Sequence, residues 1–184
     1  MAARGPDTDN LGWKAPAFSL PGTDGGMHGP ATAPGDRGLL VMFICNHCPY
    51  VRSIIDRIVR DTAELATLGV GSIAVMSNDT DSYPADSFDR MKEFARENGF
   101  GFPYVIDETQ AVARSYDAVC TPEFYGFNAG MELQYRGRLD ESGRAAISGA
   151  RRDLFEAMRL IAETGAGPAQ QIASIGCSIK WRAA

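Results

Sequence analysis

The chain has 184 residues, 45% of them hydrophobic and 22% charged, with 18 Lys and Arg against 23 Asp and Glu for a formal net charge of -5. That length suits one well-buried core and is short for two. The acidic balance argues against a nucleic-acid partner, because phosphate binding needs clustered cations. Residues 1 to 14, "MAARGPDTDNLGWK", mix charge with Gly and Pro and hold no apolar signal region. The longest apolar run, Leu39 to Cys45, is too short to cross a bilayer. A cytoplasmic protein with no membrane partner is expected, its four cysteines reduced and not spent on a structural framework.

In chain order, "APAFSL" (15 to 20) predicts a short edge strand, followed by a Gly/Pro-rich loop. "LLVMFI" (39 to 44) is unbroken apolar and reads as a central strand covered on both faces. Val51, Ile54, Ile55, Ile58, Val59, Ala63 and Ala66 recur at helical spacing, with charged residues between them, and predict an amphipathic helix ending near Gly69. "VGSIAVMS" (70 to 77) is a second buried strand. A helix over about 86 to 98 starts at Asp86 or Ser87 and stops at Asn98-Gly99. "FPYVID" (102 to 107) reads as a strand and "TQAVARSY" (109 to 116) as a short helix. "EFYGFN" and "MELQYRG" are paired strands turning at Ala129-Gly130. Arg151 and Arg152, flanked by acids, read as the solvated start of a last helix that Gly165 closes. Residues 166 to 184 read as a tail over the body. The order predicts a single α/β domain over 1–184, its core about 12–165, with parallel strands first and an antiparallel pair after.

"VMFICNHCPYV" carries the chemistry. Cys45 ends a buried strand and Cys48 stands at the start of a helix, where free N–H groups and the helix dipole stabilise a thiolate. Three residues apart, the two sulfurs come close enough to bond. A zinc site would need a second ligand pair. Cys120 and Cys177 stand alone and the only histidines are His28 and His47, so thiol redox chemistry is favoured, with no metal or cofactor expected. His47 is either an exposed loop histidine or, protonated, a stabiliser of the Cys48 thiolate. Pro49 pushes Cys48 away from helical angles, which also allows a helix that begins just after Cys48, with both thiols in the preceding loop.

"APAFSLPGTDG", "FICNHCPYV", "SNDTDSYPADS", "GFPYVIDETQAVARSY", "VCTPEFYGF", "YRGRLD" and "IGCSIKW" together resemble the peroxiredoxin-like branch of the thioredoxin fold, the alkyl-hydroperoxide-reductase and thiol-specific-antioxidant (redoxin) group, over roughly residues 12 to 182. The resemblance implies a thioredoxin-like fold and a thiol–disulfide oxidoreductase. Cys45 would form a mixed disulfide with a protein or small-molecule disulfide, and Cys48 would resolve it, Asn46 and His47 lying between them. A thiol reductant such as thioredoxin or glutathione would then restore the dithiol. It also implies that Thr121-Pro122 is a cis-proline loop packed on the pair, offering the Thr121 backbone to an extended substrate, and that Cys120 lies near Cys45. Cys120 otherwise reads as a small buried hydrophobe, and Cys177 as a tail thiol that motion could bring to the site.

Two departures bear on activity. Peroxiredoxins carry Pro and Thr or Ser ahead of the reactive cysteine, where this chain has Gly38 and Met42. Thioredoxins place a buried Asp where this chain has Leu39. Asp79 is the candidate replacement, against its reading as a solvated loop acid. The rival functions are a thiol peroxidase using Cys45, a copper-binding assembly factor recruiting His28, and an inert structural relative.

Overall fold

The structure, a computed structural model, describes residues 3–4 and 10–183. In chain order the elements are β1 (Ala3–Arg4), β2 (Leu20–Pro21), β3 (Met27–His28), β4 (Gly38–Phe43), α1 (Pro49–Arg52), α2 (Ile55–Thr67) and β5 (Val70–Met76). A 3-10 turn (Pro84–Asp86) then leads to α3 (Phe88–Glu97), β6 (Tyr104–Ile106), α4 (Ala111–Ser115), β7 (Cys120–Thr121), β8 (Glu123–Asn128), β9 (Leu133–Arg136), α5 (Asp153–Thr164) and β10 (Gly176–Ser178).

The central sheet is mixed. β4 pairs antiparallel with β8, and β8 with β9, while β5 and β6 are parallel; Ile44, just past β4, donates to Val75 O at 3.1 Å. Helices flank this sheet, giving the thioredoxin-like α/β fold. β4 is buried along its whole length because its alternate residues feed two cores. Leu40 and Met42 pack with Ile58 of α2 and with Leu154 and Met158 of α5. Leu39, Val41 and Phe43 pack with Val112, Tyr116 and Tyr125, under Trp13 and Phe18 from the N-terminal segment. The strand that leads to Cys45 is therefore clamped from both sides.

Three expectations are corrected. The stretch 15–20 forms no strand of its own; only Leu20–Pro21 pairs, with Met27–His28. The helix after Cys48 is two helices: Ser53 Oγ donates to Tyr50 O at 2.9 Å, Ile54 leaves helical geometry (φ -125, ψ 0), and α2 begins afresh at Ile55. Arg152 is not simply solvated. It pairs with the fully buried Asp61 at 2.5 Å and with Glu64 at 2.9 Å, tying the start of α5 to α2.

Replacing Ile58, which is fully buried on α2, by Ala is expected to cost about 2–5 kcal/mol of unfolding free energy in urea. Replacing the exposed Asp56 of the same helix by Ala should stay within about 0.5 kcal/mol of the parent.

Candidate active site

Cys48 is the N-cap of α1, with extended backbone (φ -65, ψ 121), and Pro49 takes the first helical position. Both follow from the proline, which keeps the preceding residue out of the helix and loses nothing at a position whose N–H has no helical partner. The two thiols therefore lie in the loop between β4 and α1, and both are buried.

Thr121 faces them from β7, joined to Pro122 by a cis peptide bond, as the resemblance implied. Its hydroxyl lies 3.6 Å from Cys45 Sγ, and its carbonyl accepts from Cys48 Sγ at 3.2 Å. Each sulfur thus has a different group of Thr121. The thiols also meet each other. The Cys45 S–H donates to the Cys48 sulfur, which with the Val51 N–H and despite burial lowers the Cys48 pKa to about 4. The same bond, with burial and the nearby Asp86 carboxylate, raises Cys45 well above an ordinary thiol. Of the coupled pair Cys48 is therefore the more acidic thiol and Cys45 the less acidic, and while Cys48 keeps its proton the S–H is directed to Thr121 O.

One carboxylate shapes the loop. Asp86 Oδ1 accepts from the backbone N–H of Asn46 at 2.9 Å and of His47 at 3.3 Å, and Oδ2 meets His47 Nδ1 at 2.6 Å and the Asn78 amide at 2.8 Å. Asp86 is fully buried, and these donors replace the water it has lost. Asn46 is fixed further by Tyr104 OH at 2.9 Å and by its own bond to Ala85 O at 3.0 Å. His47 stacks on Tyr83 (5.6 Å between centroids, 8° between planes), with Nδ1 4.0 Å from Cys45 Sγ. The Asp86 hydrogen bond raises the His47 pKa against the opposing effect of burial.

A second carboxylate positions the proline loop. Glu123 is fully buried; one oxygen accepts from the backbone of Val119 and Cys120, the other from Tyr125 OH and the Arg136 guanidinium at 2.6 Å. This pins residues 119 to 123 on the sheet and so places Thr121.

Asn46, His47, Thr121 and Pro122 are accordingly gathered around Cys45 and Cys48. The Cys120 sulfur instead faces Pro122 O (3.7 Å) and Glu123 Oε2 (3.9 Å), and burial pushes its pKa up to about 12. Asp79 is turned to the tail, accepting from Arg182 at 3.4 Å. Sequence reading passed over Asp86, Asn78, Glu123 and Arg136. In the sequence Asp86 reads only as a helix start, and Asn78 and Asp86 both lie within "SNDTDSYPADS".

Cys45 Sγ, His47 Nδ1 and an Asp86 oxygen lie within 4.8 Å of one another, the spacing of a three-ligand metal group. The Asp86 carboxylate is already engaged with four protein donors, however. His28, the histidine the copper reading called for, has its Nε2 on Asp24 at 2.9 Å.

The backbone edge of Thr121, expected to await a substrate, is already paired. β10 runs antiparallel to β7 with Cys177 opposite Thr121 and Ser178 opposite Cys120, and β1 lies on its other side.

The sequence profile of the AhpC/TSA family matches residues 11–139. The chain belongs to the AhpC/TSA family. Among solved structures it is similar to an uncharacterized conserved protein from Geobacillus kaustophilus at 40% identity, covering 100% of this chain and 98% of that one with a TM-score of 0.94. It is also similar to a hypothetical protein from Sinorhizobium meliloti at 32% identity, covering 98% and 99% with a TM-score of 0.90. A thiol:disulfide interchange protein of the thioredoxin family from Chlorobium tepidum shares the fold, at 18% identity with 85% and 99% covered and a TM-score of 0.62. Among curated proteins none matches.

As an AhpC/TSA member the protein is an oxidoreductase. Met42, where peroxiredoxins place a hydroxyl, has its side chain in the core; the hydroxyl beside Cys45 comes from Thr121 instead. No helix among the described residues is long and apolar enough to cross a membrane.

Titrating the reduced protein by thiolate absorbance near 240 nm should reveal one thiolate forming at about pH 4, and Cys48→Ser should abolish that step. Because the folded pKa lies below the ordinary 9.0, the stability this group contributes is present above that value and disappears as pH falls through about 4. His47 has the opposite sign. Its contribution is complete below 6.5 and is lost as pH rises through its raised folded pKa; Asp86→Asn should move the midpoint of its ring resonances back down.

Proposed function

We propose that the protein is a thiol–disulfide oxidoreductase in which Cys45 forms the mixed disulfide and Cys48 resolves it. The observation that carries this reading is the pair of buried thiols set against Thr121, Cys45 Sγ 3.6 Å from its hydroxyl and Cys48 Sγ 3.2 Å from its carbonyl. Cys48 in its thiolate form is the neighbouring group able to share the Cys45 proton.

The Cys45 proton passes to Cys48 as the Cys45 sulfur attacks the substrate disulfide. One substrate sulfur bonds to Cys45 and the other leaves as thiolate. That thiolate takes the proton back from Cys48, whose charge the Val51 N–H again supports. Cys48 attacks the Cys45 sulfur, closing the Cys45–Cys48 bond and expelling the second substrate thiolate. Two electrons move from the dithiol to the substrate. The Thr121 hydroxyl is placed to donate to Cys45 as charge develops there.

A cavity of about 380 Å³ beside Pro122, lined by Tyr50, Ile54, Phe124, Leu139 and Ile175, suits an apolar side chain next to a substrate cysteine and favours a protein disulfide. A thiol such as thioredoxin or glutathione would regenerate the dithiol.

Insulin reduction with dithiothreitol as electron source tests the reading. The parent should act, and Cys45→Ser should fall to the uncatalysed level; equal rates would make the protein an inert relative. The second reading is a thiol peroxidase, favoured by the hydroxyl beside Cys45. Stopped-flow mixing with peroxide separates the two, since on the preferred reading Cys45 sulfenate forms no faster than that of free cysteine.

A further inference from the structure

The tail is built into the site, and closely. Cys177 stands opposite Thr121 in the β7–β10 ladder, with the next-but-one bond of the ladder running from Ile179 N to Val119 O at 3.1 Å. Cys177 and Thr121 thus project to the same face of the ladder, and that face holds the thiol pair. Gly176 has no Cβ because there is no room for one: it would stand 2.1 Å from Thr121 O and 3.0 Å from Pro122 N. Cys177 belongs to the same buried cluster as Cys45 and Cys48, and its thiol lies near enough to Cys48 for each to shift the other's acidity.

The strand is anchored on both sides. Before it, Gln171 Nε2 donates to Gln134 O at 2.8 Å, and Arg138 N to Ile172 O at 2.7 Å. After it, Lys180 N donates to Asn78 Oδ1 at 2.9 Å and Gln110 Nε2 to Lys180 O at 2.8 Å. Cys48 is 0% exposed, Cys45 1% and Cys177 8%, so Cys177 is the outermost of the three sulfurs.

We propose that Gly176–Ser178 occupies the substrate strand position of its own active site and that Cys177 is a third redox residue, relaying the disulfide from the buried pair to the surface. The relay rests on the thiol–disulfide reading above. In the oxidised protein the Cys177 thiolate attacks the Cys48 sulfur. The Cys48–Cys177 bond forms, the Cys45–Cys48 bond breaks, and Cys45 leaves as a thiolate that takes up the proton Cys177 gave up. One disulfide is exchanged for another, with no net oxidation. An external thiol then attacks Cys177, the least buried of the three cysteines, forming a mixed disulfide with it and releasing Cys48 as thiolate. A second external thiol attacks that mixed disulfide, the external disulfide leaves, and Cys177 and the chain return to the reduced form.

The test is to equilibrate the full chain with mixtures of reduced and oxidised glutathione, quench by alkylation, digest without reductant and identify the linked peptides by mass spectrometry. In the parent, both Cys45–Cys48 and Cys48–Cys177 should be found. In Cys45→Ser, the Cys48–Cys177 link should be the main product. Cys177 free in both proteins while the parent forms Cys45–Cys48, or Cys48 of the variant ending as a glutathione adduct, overturns the relay and leaves the oxidoreductase reading standing. A parent that forms neither link in any mixture overturns both.

Discussion

Four hydrogen bonds to one buried carboxylate hold this site together. Asp86 is fully buried, so its protein contacts must supply what solvent would otherwise give its carboxylate. Its contacts are the two backbone N–H groups that follow Cys45, the His47 ring and the Asn78 side chain. The loop between the cysteines is thereby bent around an anion, and Cys45 and Cys48 are left facing inward. Asn78 extends the constraint, since its other amide atom accepts from Lys180 N. The loop that carries the thiols and the tail strand that covers them are hung on one network.

The interaction between the two sulfurs sets how charge is shared between them, and the same carboxylate adds to it. Its field opposes a thiolate at Cys45, while Cys48, at the N-cap of α1, is offered the Val51 N–H. The two neighbouring thiols are thereby made unequal in acidity, Cys48 the more acidic. Glu123 does comparable work on the opposite wall. Neutralised by Arg136 and bonded to the backbone of residues 119 and 120, it fixes where Thr121 presents its hydroxyl and carbonyl.

Much of this was legible in the residues. An unbroken apolar run marked β4 because a strand covered on both faces needs nothing else. The spacing of Cys45 and Cys48 marked the pair, and Pro49 foretold that Cys48 would stand outside the helix. The break between α1 and α2 was hidden, because Ile54 keeps the apolar period even where the backbone leaves the helix. Asp86 was hidden for a related reason: an acid before a helical pattern has the look of a capping residue, and burial is invisible in one dimension.

By itself the sequence determined most of the strand and helix order, the two-sided core strand and the candidate cysteine pair, because periodicity and side-chain chemistry are local properties. Only the tertiary structure decided that Cys120 faces a carboxylate and not the pair, that Asp86 and Glu123 hold the two walls, and that Cys177 lies on Thr121. Each of these depends on contacts between segments far apart in the chain, and the energy of a buried charge or a paired strand is set by what stands opposite it. A tail without periodicity carries no mark of where it will dock; the missing Cβ of Gly176 acquires its meaning only beside Thr121.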